Sequence, residues 1–138
     1  MSNLQSIAAP IGRVLLAFIF ILSGLMKLGD ISGTAAYIES GGLPGFLVWP
    51  TILLEVVGGL MLAIGFKAGL AALGLAGFSL LSGVLYHMVP AGNLTGMEQQ
   101  MQMIMFFKNI SMAGGLLVVF ALGAGPYALD NRTTVTAA

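Results

Sequence analysis

Cysteine is absent from this chain, and charged residues are scarce. With no cysteine among the 138 residues, disulfides, thiolate catalysis, cysteine-bound zinc and iron–sulfur clusters are excluded within the chain. Only 7% of the residues are charged and 58% are hydrophobic, whereas a soluble globular domain carries about 25% charged residues. The composition therefore argues against a soluble four-helix bundle and favours an integral membrane protein.

Basic tracts are missing as well. Five cations balance five anions, so the chain lacks the positive patch of a nucleic-acid-binding protein, and no nucleic-acid partner is expected. A single histidine cannot supply bis-histidine haem ligation. The sequence also lacks a glycine-rich phosphate loop and a plausible Ser–His–Asp set. Any redox chemistry would therefore need a bound cofactor or a partner protein.

Four long apolar runs fill the chain. They cover residues 11–28, 47–66, 68–89 and 104–122, and each approaches or exceeds the ~18–20 residues that span a bilayer. The second and third runs are separated by a very short turn, so their helices must be antiparallel neighbours. The sequence predicts an all-α polytopic membrane protein, an antiparallel bundle of four transmembrane helices in one domain over residues 1–138.

The segments around these runs carry their own signals. The first helix is expected to begin after Pro10 and to be retained, because it is too long for a signal peptide. Residues 32–40 are expected to form a short interfacial helix. Trp49 lies where the second helix enters the membrane and is predicted to be an interfacial anchor. The polar tail from about Gly125 is expected to fray.

The charges that flank the runs separate by sign. The cations at one face are Arg13, Lys67 and Arg132. The acidic residues in the loops of the other face are Asp30, Glu39 and Glu98. Since positive residues favour the cytoplasmic side, both termini are expected to be cytoplasmic.

Four ionisable residues inside the runs converge on one end of the bundle. With alternating topology, Lys27, Glu55, His87 and Lys108 all lie toward the same membrane face. Ionisable residues in a membrane are costly and usually functional. We predict a pocket in which Glu55, paired with Lys27 or Lys108, and His87 exchange protons as catalytic residues. The lysines would bind a quinone oxygen, a carboxylate or another small anion.

Structural roles for the same residues stay open. Lys27, His87 and Lys108 lie near helix ends and could extend to the lipid headgroups, and a Glu–Lys bridge could serve only to hold helices together. Arg13 lies about 21 Å from Lys27 by helical rise. It is expected to anchor to lipid phosphate or to cap a neighbouring helix.

Methionines crowd the entrance of the fourth helix at positions 97, 101, 103 and 105. Thioether ligands select Cu(I) among metals, but apolar packing is the commoner role of methionine. No metal site is therefore predicted, copper and haem are both disfavoured, and the role of Met97–Met105 stays open.

Short motifs in a fixed order make the chain resemble the DoxX family of small bacterial membrane proteins. They include GRVLL at 12–16, SGLMKL at 23–28, LEVVGG at 54–59 and FFKN at 106–109, and the resemblance runs from about residue 11 to 130. It implies a four-helix, multi-pass protein of the bacterial cytoplasmic (inner) membrane. The recurrent polar positions of the family fall on residues 13, 27, 55, 87, 108 and 109, which adds Asn109 to the predicted ligand-binding residues.

The resemblance also implies a link to quinone-dependent redox enzymes. The leading hypothesis is a redox-associated accessory protein, or a quinone- or small-anion-binding subunit, with redox-enzyme subunits as partners and a quinone as its cofactor. The alternatives are a non-enzymatic scaffold subunit and, less favoured, a small-solute or metal transporter. Catalytic activity on its own and homo-oligomerisation stay open.

Overall fold

The computed structural model describes residues 3–133, which form helices and connecting turns without a strand. Four helices in this range are long and apolar enough to cross a membrane: α1 (Asn3–Gly29), α3 (Gly45–Ile64), α4 (Ala68–Ala91) and α5 (Gly96–Leu122). Two short helices are α2 (Ile31–Ser40) and α6 (Asp130–Thr133). The predicted all-α bundle of four transmembrane helices is confirmed.

Small side chains let the four long helices pack closely. α1 packs on α3, α3 on α4 and α4 on α5, whereas α1 and α5 touch only weakly. Small residues at such contacts are typical of membrane helices, because they allow backbones to approach. The buried core consists of Ala17, Phe20, Leu62, Ala71, Ala72, Leu75, Ala76, Ala113 and Leu116. Most other large apolar side chains face outward, as expected for a protein that is solvated by lipid.

Two of the long helices extend beyond their apolar runs. α1 begins at Asn3 instead of residue 11, so Pro10 lies inside the helix, and α5 begins at Gly96 instead of residue 104. An apolar run marks the part that can lie in hydrocarbon, but helical hydrogen bonding continues through polar residues such as Gln99 and Gln102. For α1 and α5, the apolar runs therefore predicted helix starts that lie several residues after the observed ones.

The short helix expected over residues 32–40 is confirmed as α2. The Asp30 side chain caps it, accepting a hydrogen bond from the Gly33 N–H at 2.9 Å. Tyr37 of α2 stacks on Tyr86 of α4 with 4.9 Å between ring centroids, and the Tyr86 hydroxyl donates to the Ile38 carbonyl at 3.0 Å. Partial burial raises the pKa of the Tyr37 phenol. These contacts hold α2 across one end of the bundle.

The expected fraying of the tail is not what the structure shows as far as residue 131. The Asp130 carboxylate accepts hydrogen bonds from the backbone N–H groups of Lys67 and Ala68, at 2.6 and 2.9 Å, and so caps the start of α4. Ala128 is buried against Gly65, where a side-chain Cβ would lie 2.5 Å from the Ala128 methyl group. Residues 125–131 are therefore fastened to the turn between α3 and α4, and the part of the expected fraying that concerns residues 134–138 lies outside the described residues.

The Arg13 side chain lies at this same end of the bundle. Its side chain is only 4% exposed, and it donates hydrogen bonds to the carbonyl oxygens of Ala63 and Ala124. These contacts fit one of its two expected roles, capping of neighbouring helix ends, and its role as a lipid anchor stays a prediction. Trp49 is 56% exposed near the start of α3, and its role as an interfacial anchor stays a prediction.

We expect Gly59→Leu to destabilise the bundle by about 2 kcal/mol, in the range for overpacking. A Cβ at Gly59 would lie 2.7 Å from Ile21 Cγ1 and 3.3 Å from the Ile21 backbone nitrogen, so α1 and α3 would have to separate. Gly12→Leu is the matched control, because a Cβ there would meet nothing within 4 Å. Thermal unfolding in nanodiscs checks this, and equal melting temperatures for the two variants would contradict the assigned helix contact.

Candidate functional site

A cavity of about 400 Å³ lies at the end of the bundle that α2 covers. All four long helices and α2 contribute to its walls, which are mostly apolar. The five residues predicted to act on a ligand all line it: Lys27, Glu55, His87, Lys108 and Asn109. The fold thus brings these side chains to one cavity, while their catalytic and binding roles stay predictions.

A buried ion pair joins α1 to α3 at the cavity wall. Glu55 is 3% exposed, and its Oε2 lies 2.8 Å from Lys27 Nζ. The Lys27 ammonium donates hydrogen bonds to Glu55 Oε1 at 3.0 Å and to Ser23 Oγ at 2.6 Å. Oε2 accepts no directed hydrogen bond from the described residues, so it keeps acceptor capacity. Of the two lysines considered as partners of Glu55, Lys27 is the one that pairs with it.

Two π-helical segments carry the two residues predicted to exchange protons. Leu54–Gly58 interrupts α3 and contains Glu55, and Val84–Met88 interrupts α4 and contains His87. A π turn widens the helix by one residue and is frequently found at functional sites. It also changes the direction of the side chains in that turn relative to a regular helix. No sequence signal announced either segment.

His87 makes a hydrogen bond with Gln102, a residue that the sequence analysis did not name. Its Nδ1 lies 2.8 Å from Oε1 of Gln102 on α5. Because an amide oxygen only accepts, Nδ1 is the donor in this contact, and in a neutral ring Nε2 is then the acceptor. Gln102 escaped notice because polar residues at the exposed start of a helix are common.

Lys108 and Asn109 differ sharply in their surroundings. Asn109 is 6% exposed, and its Nδ2 donates to the Met105 carbonyl at 2.9 Å. Lys108 is exposed, and the contact of its Nζ is with Met105 Sδ at 3.4 Å, a weak acceptor. Among the described residues, Lys108 has no carboxylate partner. The cavity therefore carries one uncompensated lysine beside the neutralised Lys27.

Hydroxyl groups complete the polar lining of the cavity, and sequence reasoning named neither Thr51 nor Ser82 among them. Thr51 lies one helical turn before Glu55, and Ser82 lies about one turn before His87, so helical spacing could have found them. The hydroxyl-bearing residues in the wall are Ser23, Thr34, Tyr37, Thr51, Ser82 and Tyr86. Within residues 3–133, no group of three His, Asp or Glu side chains could hold a metal ion.

Comparison with known proteins places the chain in a family. The profile of the DoxX family matches residues 8–88, more than half of the sequence. The chain belongs to the DoxX family. This match includes most of α1, all of α2 and α3, and most of α4, with Lys27, Glu55 and His87, while Lys108 and Asn109 lie beyond it.

Two relatives of this DoxX-family protein extend over nearly its whole length. It is 35% identical over 131 residues to inner membrane protein YqjF of Escherichia coli (strain K12), covering 95% of each chain. It is 30% identical over 124 residues to inner membrane protein YphA of the same organism, covering 88% of this chain and 87% of the relative. No solved structure matches the chain.

Removing Lys27 alone should cost more stability than removing both partners of the ion pair. Lys27→Met leaves the Glu55 carboxylate buried without its cation, and we expect a loss of about 3 kcal/mol. The double variant Lys27→Met/Glu55→Gln should recover most of this, because no buried charge remains. The unfolding free energy in detergent micelles tests the pair, with the exposed Lys67→Met as control. Equal losses in the single and double variants would rule out an energetically important pair.

Gln102→Leu should change the tautomer of His87, the single histidine of the chain. For the neutral ring, we expect ¹⁵N NMR of labelled histidine to show the proton on Nδ1 in the wild type and mainly on Nε2 in Gln102→Leu. Gln100→Leu, at an exposed position of the same helix, should behave as wild type. A wild-type spectrum with the proton on Nε2 would show that the Gln102 contact does not fix the ring.

Proposed function

We propose that this DoxX-family protein is an integral inner-membrane binding subunit associated with redox enzymes. Its cavity would hold the head group of a quinone or a small anion. The observation that carries the proposal is the convergence of Lys27, Glu55, His87 and Lys108 on one largely apolar cavity. Two relatives that align over most of the chain are inner membrane proteins, which supports the location.

The dimensions and chemistry of the cavity suit a small amphipathic ligand. Its volume of about 400 Å³ falls within the roughly 300–1,000 Å³ of small-molecule pockets. Phe78, Leu81 and Leu85 offer an apolar wall for a ring or chain. The polar groups at one side can bond the oxygens of a head group, which fixes its orientation.

The charges point to a head group that carries or develops one negative charge. Lys27 and Glu55 neutralise each other, so Lys108 gives the site one positive charge that no carboxylate balances. In this proposal Glu55 or His87 exchanges a proton with the ligand. The lysines and Asn109 stabilise developing negative charge, more strongly in an apolar cavity than in water.

A non-enzymatic scaffold role is the second candidate, and one observation favours it. The Lys27–Glu55 pair is satisfied inside the protein and joins α1 to α3, so it could serve packing alone. In that case the protein would present its helices to a partner subunit, and the cavity would be a packing defect filled by lipid.

The orientation expected from the flanking charges belongs to the same proposal. With both termini in the cytoplasm, the cavity and α2 lie toward the outer face. A ligand exchanged there would meet partner enzymes at the outer half of the membrane.

Native mass spectrometry on protein extracted gently from its own membranes tests the proposed function. We expect a discrete mass increment from a bound ligand in the wild type that is lost or weakened in Glu55→Gln. Glu98→Gln, on the exposed first turn of α5, should keep the increment and serves as the matched control. A bare protein mass for the wild type in native lipids would refute the binding role and favour the scaffold.

A further inference from the structure

The helices α1 and α5 form the open side of the bundle. They meet at Leu16, whose methyl groups lie 3.6 Å from the position of a Cβ on Gly115, in the half of the bundle away from the cavity. In the other half, Ile19 and Lys27 of α1 and Lys108 and Met112 of α5 line the cavity from two sides. Ile19 is 36% exposed, so this gap faces the surroundings of the bundle, where lipid would lie.

Lys108 stands at this gap with a positive charge that the protein does not balance. It lies within an apolar helix, is exposed, and contacts Met105 Sδ. A cation within a membrane span is unfavourable without a partner, and a thioether is a weak acceptor. An anion that reaches Lys108 from the lipid side would supply the missing partner.

The water-facing end of the cavity is less favourable to anions. α2 covers it through the Tyr37–Tyr86 stack. A neighbouring hollow of about 440 Å³ shares Lys27 with the cavity and is bordered by Asp30. The chain at this end, residues 28–50 and 88–107, contains Asp30, Glu39 and Glu98 but no lysine or arginine. A dissolved anion would therefore approach through a negative field, whereas a lipid-soluble one would not.

We infer that the ligand of the cavity is a membrane-soluble amphiphile with one anionic head group. It enters from the bilayer between α1 and α5 and places its anion on Lys108, while its tail lies along the gap between the two helices. This inference rests on the proposed function, because it names the ligand class and the entry route of the same cavity. A long-chain carboxylate is the simplest molecule of this kind.

Photolabelling in nanodiscs of zwitterionic phosphatidylcholine tests this inference. The probe is palmitic acid with a diazirine in its chain, and mass spectrometry locates the adducts. We expect adducts on α1 and α5 near Ile19 and Met112, and about ten-fold less labelling in Lys108→Met, since one charge-assisted hydrogen bond is lost. Lys67→Met, which removes an exposed lysine at the opposite end, is the matched control and should label as the wild type does.

Competition with unlabelled molecules separates the sources of the anion. Palmitate should compete, whereas methyl palmitate, which lacks the charge, and acetate, which lacks the tail, should not. Competition by acetate as strong as by palmitate would overturn entry from the bilayer, and unchanged labelling of Lys108→Met would overturn the role of the cation. If the palmitate probe does not label the cavity but a Glu55-dependent mass increment is found, only this inference is refuted. If neither the labelling nor the mass increment is found, the proposed function is refuted as well.

Discussion

The Lys27–Glu55 ion pair is the constraint around which the cavity end of the bundle is arranged. An acidic side chain that is 3% exposed in a transmembrane helix needs a cation beside it, and Lys27 Nζ at 2.8 Å supplies it. The pair requires α1 and α3 to approach closely. Gly24 permits this, because a Cβ there would lie 2.6 Å from Val56 Cγ2. Charge pairing and small residues thus specify the same helix contact.

The two ends of the bundle use buried charge for different purposes. At one end Arg13 and Asp130 make hydrogen bonds with backbone groups, and those of Asp130 fasten residues 125–131 to the α3–α4 turn. At the other end the polar groups surround a cavity, and Lys108 is left without a carboxylate partner among the described residues. Polar side chains that are bonded within the protein favour stability, whereas polar side chains without a full set of partners can still bond a ligand. This contrast is the reason for assigning function to the end that α2 covers.

The helices near the cavity depart from regular geometry where the polar side chains lie. Both π-helical segments contain one of the two candidate proton-exchanging residues, Glu55 and His87. In a membrane, backbone groups freed by an irregular turn must be satisfied inside the protein, so such turns persist only with support from their surroundings. The side chains of both segments contact other helices: His87 contacts Gln102 of α5, and Glu55 pairs with Lys27 of α1.

Composition and apolar run length determined the class of this protein, because a bilayer demands about 20 apolar residues for each helix. The positions of four ionisable residues within those runs determined that they would lie at one end, since alternating topology leaves no other arrangement. These residues are Lys27, Glu55, His87 and Lys108. Only the tertiary structure decided that Lys27 pairs with Glu55, that Gln102 contacts His87 and that the tail is fastened by Asp130. These depend on helix rotation, π turns and side-chain reach, which arise from packing between segments distant in sequence and are not encoded in any one of them.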